Sequence, residues 1–236
     1  MEKMKDSIYT IPISEVFEEK CGCPLCRIRD TLEDRCTEYI MGAAMMEPDI
    51  RIETNRLGFC SRHYAQMLGR RNRLSLALMM ETHLTEVQKR IFGADALGLF
   101  DKQSRAKKAE KLTGSCYVCG KIEENSSRML DNLLDLYERE KAFRLLFAEQ
   151  EYFCLPHYQQ LLSRGAARLS KNRFPEFRKT LDQITGDYLQ ALQADVLAFT
   201  KLYDYRNAGG ESPDENVRES VERAVAFLTA GEGNIS

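Results

Sequence analysis

The sequence predicts an all-α protein made of two tandem, metal-clipped helical repeats with long amphipathic helices. Apolar residues recur at helical spacing along most of the chain, and no alternation of period two persists. A Cys-x-x-Cys pair followed by a Cys-x-x-His pair occurs twice. The flanks of the two copies also match, as Phe59–Tyr64 and Phe153–Tyr158 show. Self-similarity of this length is typical of a duplicated structural unit.

The duplicated cysteine and histidine pairs predict two metal sites. Three thiolates and one imidazole suit a tetrahedral Zn²⁺ ion, which accepts both kinds of donor atom. Four protein ligands leave no open coordination position, which is typical of a structural ion. Because each copy holds one full set, we expect one zinc per repeat. The ligands expected are Cys23, Cys26, Cys60 and His63 for the first site and Cys116, Cys119, Cys154 and His157 for the second.

The first repeat is predicted to span residues 1–98, including an N-terminal lead-in. The lead-in ends in a helical turn or two capped by Ser14. The first Cys-x-x-Cys pair then forms a turn, in which Gly22 supplies backbone freedom. A helix should follow this turn and run to about Met46.

The rest of the first repeat is predicted as a loop and one long helix. Pro48 is expected to end the preceding helix, so residues 49–58 read as a solvated loop. From Cys60 a helix should continue to about Ile91, with Gly93 as its C-cap. The side chains expected in its core-facing stripe are Leu76, Met80, Leu84, Val87 and Ile91.

Residues 99–114 are predicted to be a basic linker or a solvated helix between the repeats. The segment has few apolar anchors, and its cations are Lys102, Arg105, Lys107, Lys108 and Lys111. Short basic clusters without interleaved aromatic residues are poor evidence for nucleic-acid binding, which we do not expect.

The second repeat, residues 115–208, should follow the plan of the first. We expect a helix after Cys119, a shorter one around residues 143–147, and another that Cys154 opens. A break at Pro175 starts the last long helix. Residues 209–236 are predicted as a C-terminal helix with a capping box at Ser212-Pro-Asp-Glu, followed by a frayed tail.

Composition predicts an ordinary globular protein of the cytoplasm. Hydrophobic residues make up 43% and charged residues 30% of the chain, and the net charge of -2 gives no global attraction for nucleic acid or anionic membranes. The sequence shows neither a signal peptide nor eighteen consecutive apolar residues, so we expect no membrane association. In a reducing compartment, Cys-x-x-Cys spacing favours metal binding or redox chemistry over a disulfide framework.

Three further residues could carry chemistry. Cys21 lies two residues before the first site, where it could be an alternative ligand, a redox partner or a passive neighbour. Cys36 lies within a helix and is expected to be a small core residue. His83 has no repeated partner and is expected to be an ordinary histidine rather than a ligand.

Five short segments resemble a bacterial family of unknown function, common in anaerobic Firmicutes. They are Thr10–Ser14, Cys21–Cys26, Met45–Asp49, Arg51–Asn55 and Gly58–Cys60. The resemblance covers the chain up to about residue 205. It implies an intracellular bacterial protein and no particular reaction. An anaerobic host would also raise an iron–sulfur cluster as the alternative to zinc.

The function expected from these observations is a non-enzymatic, zinc-binding helical protein that is a partner-interaction or regulatory module and binds a protein partner or itself. Two alternatives stay open. One is redox or metal sensing, in which Cys21 competes for the first site or an iron–sulfur cluster replaces zinc, although such clusters usually take four cysteines. The other is a metal-dependent enzyme, which would need an open coordination position.

Overall fold

The computed structural model of the protein describes residues 13–93, 102–202 and 214–231, and within them it is all-α, as predicted. Twelve α-helices and one 3₁₀ helix, Ala43–Met46, account for the regular structure of these residues. The α-helices are α1 Ile13–Glu18, α2 Pro24–Met41, α3 Pro48–Leu57, α4 Ser61–Gly69, α5 Arg73–Phe92, α6 Lys102–Thr113, α7 Tyr117–Arg139, α8 Lys141–Ala148, α9 Leu155–Arg168, α10 Phe174–Leu202, α11 Glu215–Arg218 and α12 Ser220–Thr229.

The described residues divide into two compact units whose limits fall inside α2 and α7. One unit holds residues 31–93 and 102–125. The second unit holds residues 13–30, 126–202 and 214–231. These limits do not coincide with the ranges 1–98 and 115–208 that the sequence repeat indicates, so those domain ranges stay a prediction. Below, the first is called the inner unit and the second the outer unit, because the ranges of the second lie on either side of those of the first in the sequence.

The core of the inner unit lies among α2, α4, α5 and α7. Cys36 and Ile40 of α2 are fully buried there, as expected of an unliganded core cysteine. Leu76 and Met79 of α5 pack into the same cluster. The cluster's remaining buried members are Met41, Phe59, Met67, Tyr117 and Val118.

Closely packed aromatic rings form much of the core of the outer unit. The ring of Phe147, on α8, lies 4.8 Å from Phe153 and 5.4 Å from Phe177. Tyr137, at the end of α7, meets Phe177 edge-on at 4.9 Å. Phe17 of α1 adds to the same cluster and is fully buried. Aromatic pairs at these distances contribute beyond the area they bury.

Two predictions about the first repeat are wrong. Residues 49–57 belong to helix α3 and Gly58 is its C-cap, because Pro48 begins this helix instead of ending the one before. A proline at the first helical position loses no hydrogen bond. The expected single helix from Cys60 to Ile91 is two helices, α4 and α5. Asn72 caps the second, since its side chain accepts a hydrogen bond from the Ser75 backbone N–H.

The break before α5 changes which of its side chains are buried. Leu76 is buried as predicted, but Met80 and Leu84 are 38% and 60% exposed, and Met79 fills the core instead. Gly93 is the C-cap, as predicted.

Other limits differ from the predictions by up to five residues, or lie at the chain ends. The helix expected to reach Met46 ends at Met41, and the 3₁₀ helix follows. Helix α1 starts at Ile13, so Ser14 is inside it, and Asp214 caps α11. Ser212 lies outside the described residues.

Candidate metal centre

Each of the four cysteine-containing pairs occupies the same two positions at the start of a helix. The first cysteine directly precedes the helix, and the second ligand is the third helical residue, in α2, α4, α7 and α9 alike. In every case the carbonyl of the first cysteine accepts the first helical hydrogen bond, at 2.8–3.2 Å. Side chains at these two positions approach each other, as they do in a capping box. The expectation that the first pair forms a turn before its helix is therefore wrong.

Thiolates are well placed at these helix starts. The N-terminal end of a helix carries a partial positive charge, which favours anionic ligands. Gly22 has a φ of +60° next to Cys23, so the backbone freedom expected of it is used there.

The eight predicted ligands gather into two groups, but not in the pairing that the sequence repeat suggested. The structure joins the first Cys-x-x-Cys pair to the second Cys-x-x-His pair, and the second Cys-x-x-Cys pair to the first Cys-x-x-His pair. The groups are Cys23, Cys26, Cys154 and His157 in the outer unit and Cys60, His63, Cys116 and Cys119 in the inner unit. The expected sets of 23, 26, 60, 63 and of 116, 119, 154, 157 are corrected accordingly. Each centre thus draws on both sequence copies.

In the outer centre, His157 turns its Nδ1 atom towards three sulfurs. That atom lies 3.5 Å from the Cys23 Sγ, 3.4 Å from the Cys26 Sγ and 3.0 Å from the Cys154 Sγ. The Cys26 and Cys154 sulfurs are 3.6 Å apart. Cys23, Cys154 and His157 are buried, so protein encloses this centre on most sides.

The inner centre repeats this geometry nearer to solvent. The Nδ1 atom of His63 lies 3.1 Å from the Cys60 Sγ, 3.3 Å from the Cys116 Sγ and 3.5 Å from the Cys119 Sγ. The Cys60 and Cys119 sulfurs are 3.8 Å apart. His63 is buried, whereas Cys119 is exposed.

These spacings fit one tetrahedral ion in each group. Ligand bonds of about 2.0–2.3 Å require neighbouring donor atoms to lie about 3.3–3.8 Å apart in a tetrahedron. All four donor atoms of each group lie within 4.8 Å of one another. A disulfide needs sulfurs about 2.05 Å apart, and all eight cysteines are free thiols. Both groups could therefore bind a metal ion.

Hydrogen bonds and charge divide the protons unequally within the inner group. Burial lowers the pKa of His63, but the hydrogen bond to Cys116 and the close contact with the Glu33 carboxylate outweigh it and raise that pKa to about 10. Burial raises the pKa of Cys116, but the hydrogen bond with His63 outweighs it, and the pKa falls to about 6. Burial and the negative charge of Cys116 raise the pKa of Cys119 to about 12. These directions favour a proton on His63 and on Cys119 and a negative charge on Cys116.

The outer group shows the same contrast. Burial raises the pKa of Cys23, but hydrogen bonds from Cys154, Cys26 and His157 outweigh it and hold that pKa well below its ordinary value. Hydrogen bonds to Cys154 and Cys23 raise the pKa of Cys26. The hydrogen bond to Cys23 raises the pKa of Cys154 to about 12. Each centre must therefore lose protons when it binds a metal ion.

A buried carboxylate supports the histidine of the inner centre. The Nε2 atom of His63 lies 2.9 Å from Oε1 of Glu33, although the angle falls short of a regular hydrogen bond. Oε2 of Glu33 accepts a hydrogen bond of 2.6 Å from Arg62. Glu33 is only 7% exposed. A carboxylate behind a metal-binding histidine fixes the tautomer and orientation of the ring.

Sequence reasoning missed Glu33. The signal that could have found it is a charged residue among apolar ones, since Glu33 follows Leu32 and lies three residues before Cys36, and both of these are buried in α2. The second copy does not repeat the feature: Glu33 is the seventh residue after Cys26, and the seventh after Cys119 is Ser126. The two centres therefore differ in their surroundings.

The three residues singled out beside the ligands are not part of either group. Cys21 is exposed and accepts a 3.5 Å contact from Arg27. His83 is structural, because its Nδ1 atom lies 2.8 Å from the Asn55 carbonyl oxygen and its ring covers Gly58.

Fold and site define an all-helical protein with two candidate Cys₃His metal centres. The chain belongs to a family of unknown function, DUF6062, whose model matches residues 4–234. No curated protein and no solved structure matches it. Within the described residues, none of the helices combines the length and the apolar character needed to cross a membrane.

Proposed function

We propose that this protein is a non-enzymatic, zinc-binding helical protein of the bacterial cytoplasm, in which two structural Zn²⁺ ions hold helix starts together. The observation that carries the proposal is the convergence of three thiols and one imidazole in each unit at the spacing of a tetrahedron. In the inner unit the ion would join the starts of α4 and α7. In the outer unit it would join the starts of α2 and α9.

The donor set and its spacing favour zinc over an iron–sulfur cluster. A cluster spreads its ligands over two or more iron atoms, whereas all four donor atoms of each group lie within 4.8 Å of one another. Clusters also usually take four cysteines, and each group here has a histidine. Mixed sulfur and nitrogen ligation is common for structural zinc.

The closed ligand sets support a structural role rather than catalysis or sensing. Four protein ligands leave no position for water or substrate, which a catalytic zinc requires. Cys21 is in neither group, which supports ligand sets that are complete without it. Metal-binding free energy then contributes directly to folding.

The proposal includes a protein partner or a second copy of the chain, bound through helical surfaces and not through the ions. Its support is helix α5, where Leu74 and Leu84 are 69% and 60% exposed. Light scattering of the wild type and of a Leu74→Glu/Leu84→Glu variant tests for self-association. A dimeric wild type and a monomeric variant would support pairing of two copies, and a monomeric wild type would leave a different protein as the partner.

Two double variants test zinc binding and the pairing of ligands together. Zinc is measured by elemental analysis of protein purified anaerobically without a metal-affinity tag, and the wild type should hold two ions per chain. Cys60→Ala/Cys119→Ala alters only the inner centre and should keep one ion. Cys23→Ala/Cys60→Ala alters both centres and should keep none.

The same two variants give the opposite result if each sequence copy forms its own site. Cys23→Ala/Cys60→Ala would then keep one ion and Cys60→Ala/Cys119→Ala none. Iron with acid-labile sulfide in the wild type would overturn the zinc assignment. Full retention of the helical circular dichroism signal and of the melting temperature after both ions are stripped would overturn the structural role.

A further inference from the structure

A cavity of about 360 Å³ lies in the inner unit, and none of the metal-centre ligands lines it. Its walls come from the end of α3, the end of α5 and the second half of α6. Helix α6 is the basic segment that the sequence presented as a linker or solvated helix. Its lysines Lys108 and Lys111 line this cavity, whereas Arg105 and Lys107 do not.

The charges around the cavity are strongly unbalanced. Its lining includes five cations and one carboxylate, Glu86. Arg90 uses that carboxylate, with Nε 2.6 Å from a Glu86 oxygen. No ion pair joins Arg56, Lys89, Lys108 or Lys111 to another of the described residues. A cleft lined by one sign of charge concentrates the field and attracts ions of the opposite sign.

Helix dipoles account for only part of this arrangement. Cations in the last turns of α3 and α5 interact favourably with the carbonyl groups there. That interaction does not explain why cationic residues of three helices line one cavity, where like charges repel each other. A bound anion would remove this repulsion.

The walls and the volume restrict what the anion is. Leu57 and Leu112 form an apolar part of the lining. The volume is in the lower range of small-molecule pockets, which run from about 300 to 1,000 Å³. A phosphate monoester carries about −1.5 to −2 charges at pH 7 and three acceptor oxygens, and both arginine and lysine bind phosphate well.

The cavity is also held in shape by the segments that enter the metal centre. The Ser115 hydroxyl donates a 2.7 Å hydrogen bond to the Leu57 carbonyl oxygen. The Tyr117 N–H donates one of 2.9 Å to the Gly58 carbonyl oxygen. These bonds join the residues just before Cys60 to those around Cys116, so the cavity wall continues into the ligand segments.

We propose that this cavity is a binding site for a small organic phosphate, with the phosphate group on Arg56, Lys89, Lys108 and Lys111 and an apolar group against Leu57 and Leu112. The site goes beyond the structural role of the metal ions and needs no chemistry from them.

Isothermal titration calorimetry of the metal-loaded protein with phenyl phosphate tests the proposal. Inorganic phosphate serves as the ligand without an apolar group, and sodium sulfate controls for ionic strength. Lys108→Gln/Lys111→Gln removes two lining cations. Arg105→Gln/Lys107→Gln removes the same charge from the same helix outside the cavity. Circular dichroism and zinc content verify that both variants fold and keep their ions.

Phenyl phosphate should bind more tightly than inorganic phosphate. The lining variant should weaken its binding about tenfold or more, because charged hydrogen bonds are lost. The control variant should bind within about twofold of the wild type. Equal weakening in both variants would show non-specific charge attraction and overturn the proposal. So would the absence of binding at millimolar ligand, or lining-dependent binding of single-stranded RNA or phosphatidylserine vesicles without any binding of phenyl phosphate.

Discussion

The carboxylate behind His63 gives a sharp test of how the inner centre is built. Replacing Glu33 with alanine removes the oxygen that lies 2.9 Å from the His63 Nε2 atom. It leaves all four ligands of the inner centre in place. It also frees Arg62, whose side chain is 50% exposed and can turn to water.

The expected effect is a loss of metal affinity at one centre only. Outer-shell partners of this kind are worth about 10 to 100-fold in metal affinity, or about 1.4–2.7 kcal/mol. We expect the lower end, about tenfold, because the contact to His63 is close but poorly aligned. The lost pairing with Arg62 adds at most about 1 kcal/mol to the cost in folding, because that side chain is half exposed.

Competition with a chromophoric chelator measures this effect. The Glu33→Ala variant should release its two ions in separate steps, with the first shifted about tenfold towards lower chelator relative to the wild type. Ser126→Ala is the matched control, because Ser126 follows Cys119 at the same distance as Glu33 follows Cys26. It should leave both steps unchanged.

Two results would refute the reasoning. Unchanged affinity for both ions in Glu33→Ala would mean that the carboxylate does not support His63. An equal fall at both centres, or a fall of the same size in Ser126→Ala, would mean that the substitution acts through general destabilisation.

Two further predictions follow from the ligands and from one glycine. The thiols of Cys119 and Cys154 have pKa values of about 12, so a metal ion must displace their protons when it binds. Metal affinity should therefore rise about tenfold per pH unit for each proton displaced. Chelator competition at pH 6, 7 and 8 measures this dependence, and a pH-independent affinity would contradict it. Gly58→Ala should lower the free energy of unfolding by at least about 1–2 kcal/mol, because Gly58 has a φ of +62° and an added Cβ would lie 2.6 Å from the His83 ring. Gly186→Ala, in open space inside α10, should instead raise it by about 0.5–1 kcal/mol in urea denaturation, and equal signs for the two variants would count against this account.

Helical periodicity predicted most of the second half of the chain correctly. Helix α8 lies at residues 141–148 around the predicted segment, and Cys154 caps α9. Helix α10 begins at the predicted break, at Phe174. These elements were predictable because their apolar residues are strongly periodic and their breaks carry proline or a polar cap.

The errors in the first repeat come from signals with two meanings. A proline can end a helix or occupy the first position of the next one, and Pro48 does the latter. The apolar residues of α5 fit more than one stripe, and only packing selects Leu76 and Met79 over Met80 and Leu84. Such choices depend on tertiary contacts that spacing alone does not contain.

The ligand types were readable from the sequence, but their pairing was not. A Cys-x-x-Cys pair and a Cys-x-x-His pair fit together equally well within a copy or between copies, since every pair has the same geometry at a helix start. The position of Glu33 was hidden for a similar reason: its partner, His63, is distant in sequence and belongs to a different helix.

The exchange of ligands between copies gives the two centres an order during synthesis. The inner pairs are separated by 53 residues, from His63 to Cys116, and the outer pairs by 128, from Cys26 to Cys154. The longer loop costs only about 0.8 kcal/mol more to close, so entropy differs little. The order in which the ribosome releases the ligands separates the two centres more, because all four ligands of the inner centre are available once Cys119 has left the ribosome. The thiols of Cys23 and Cys26 are made first but completed last, and until His157 emerges they are open to oxidants and to the wrong metal.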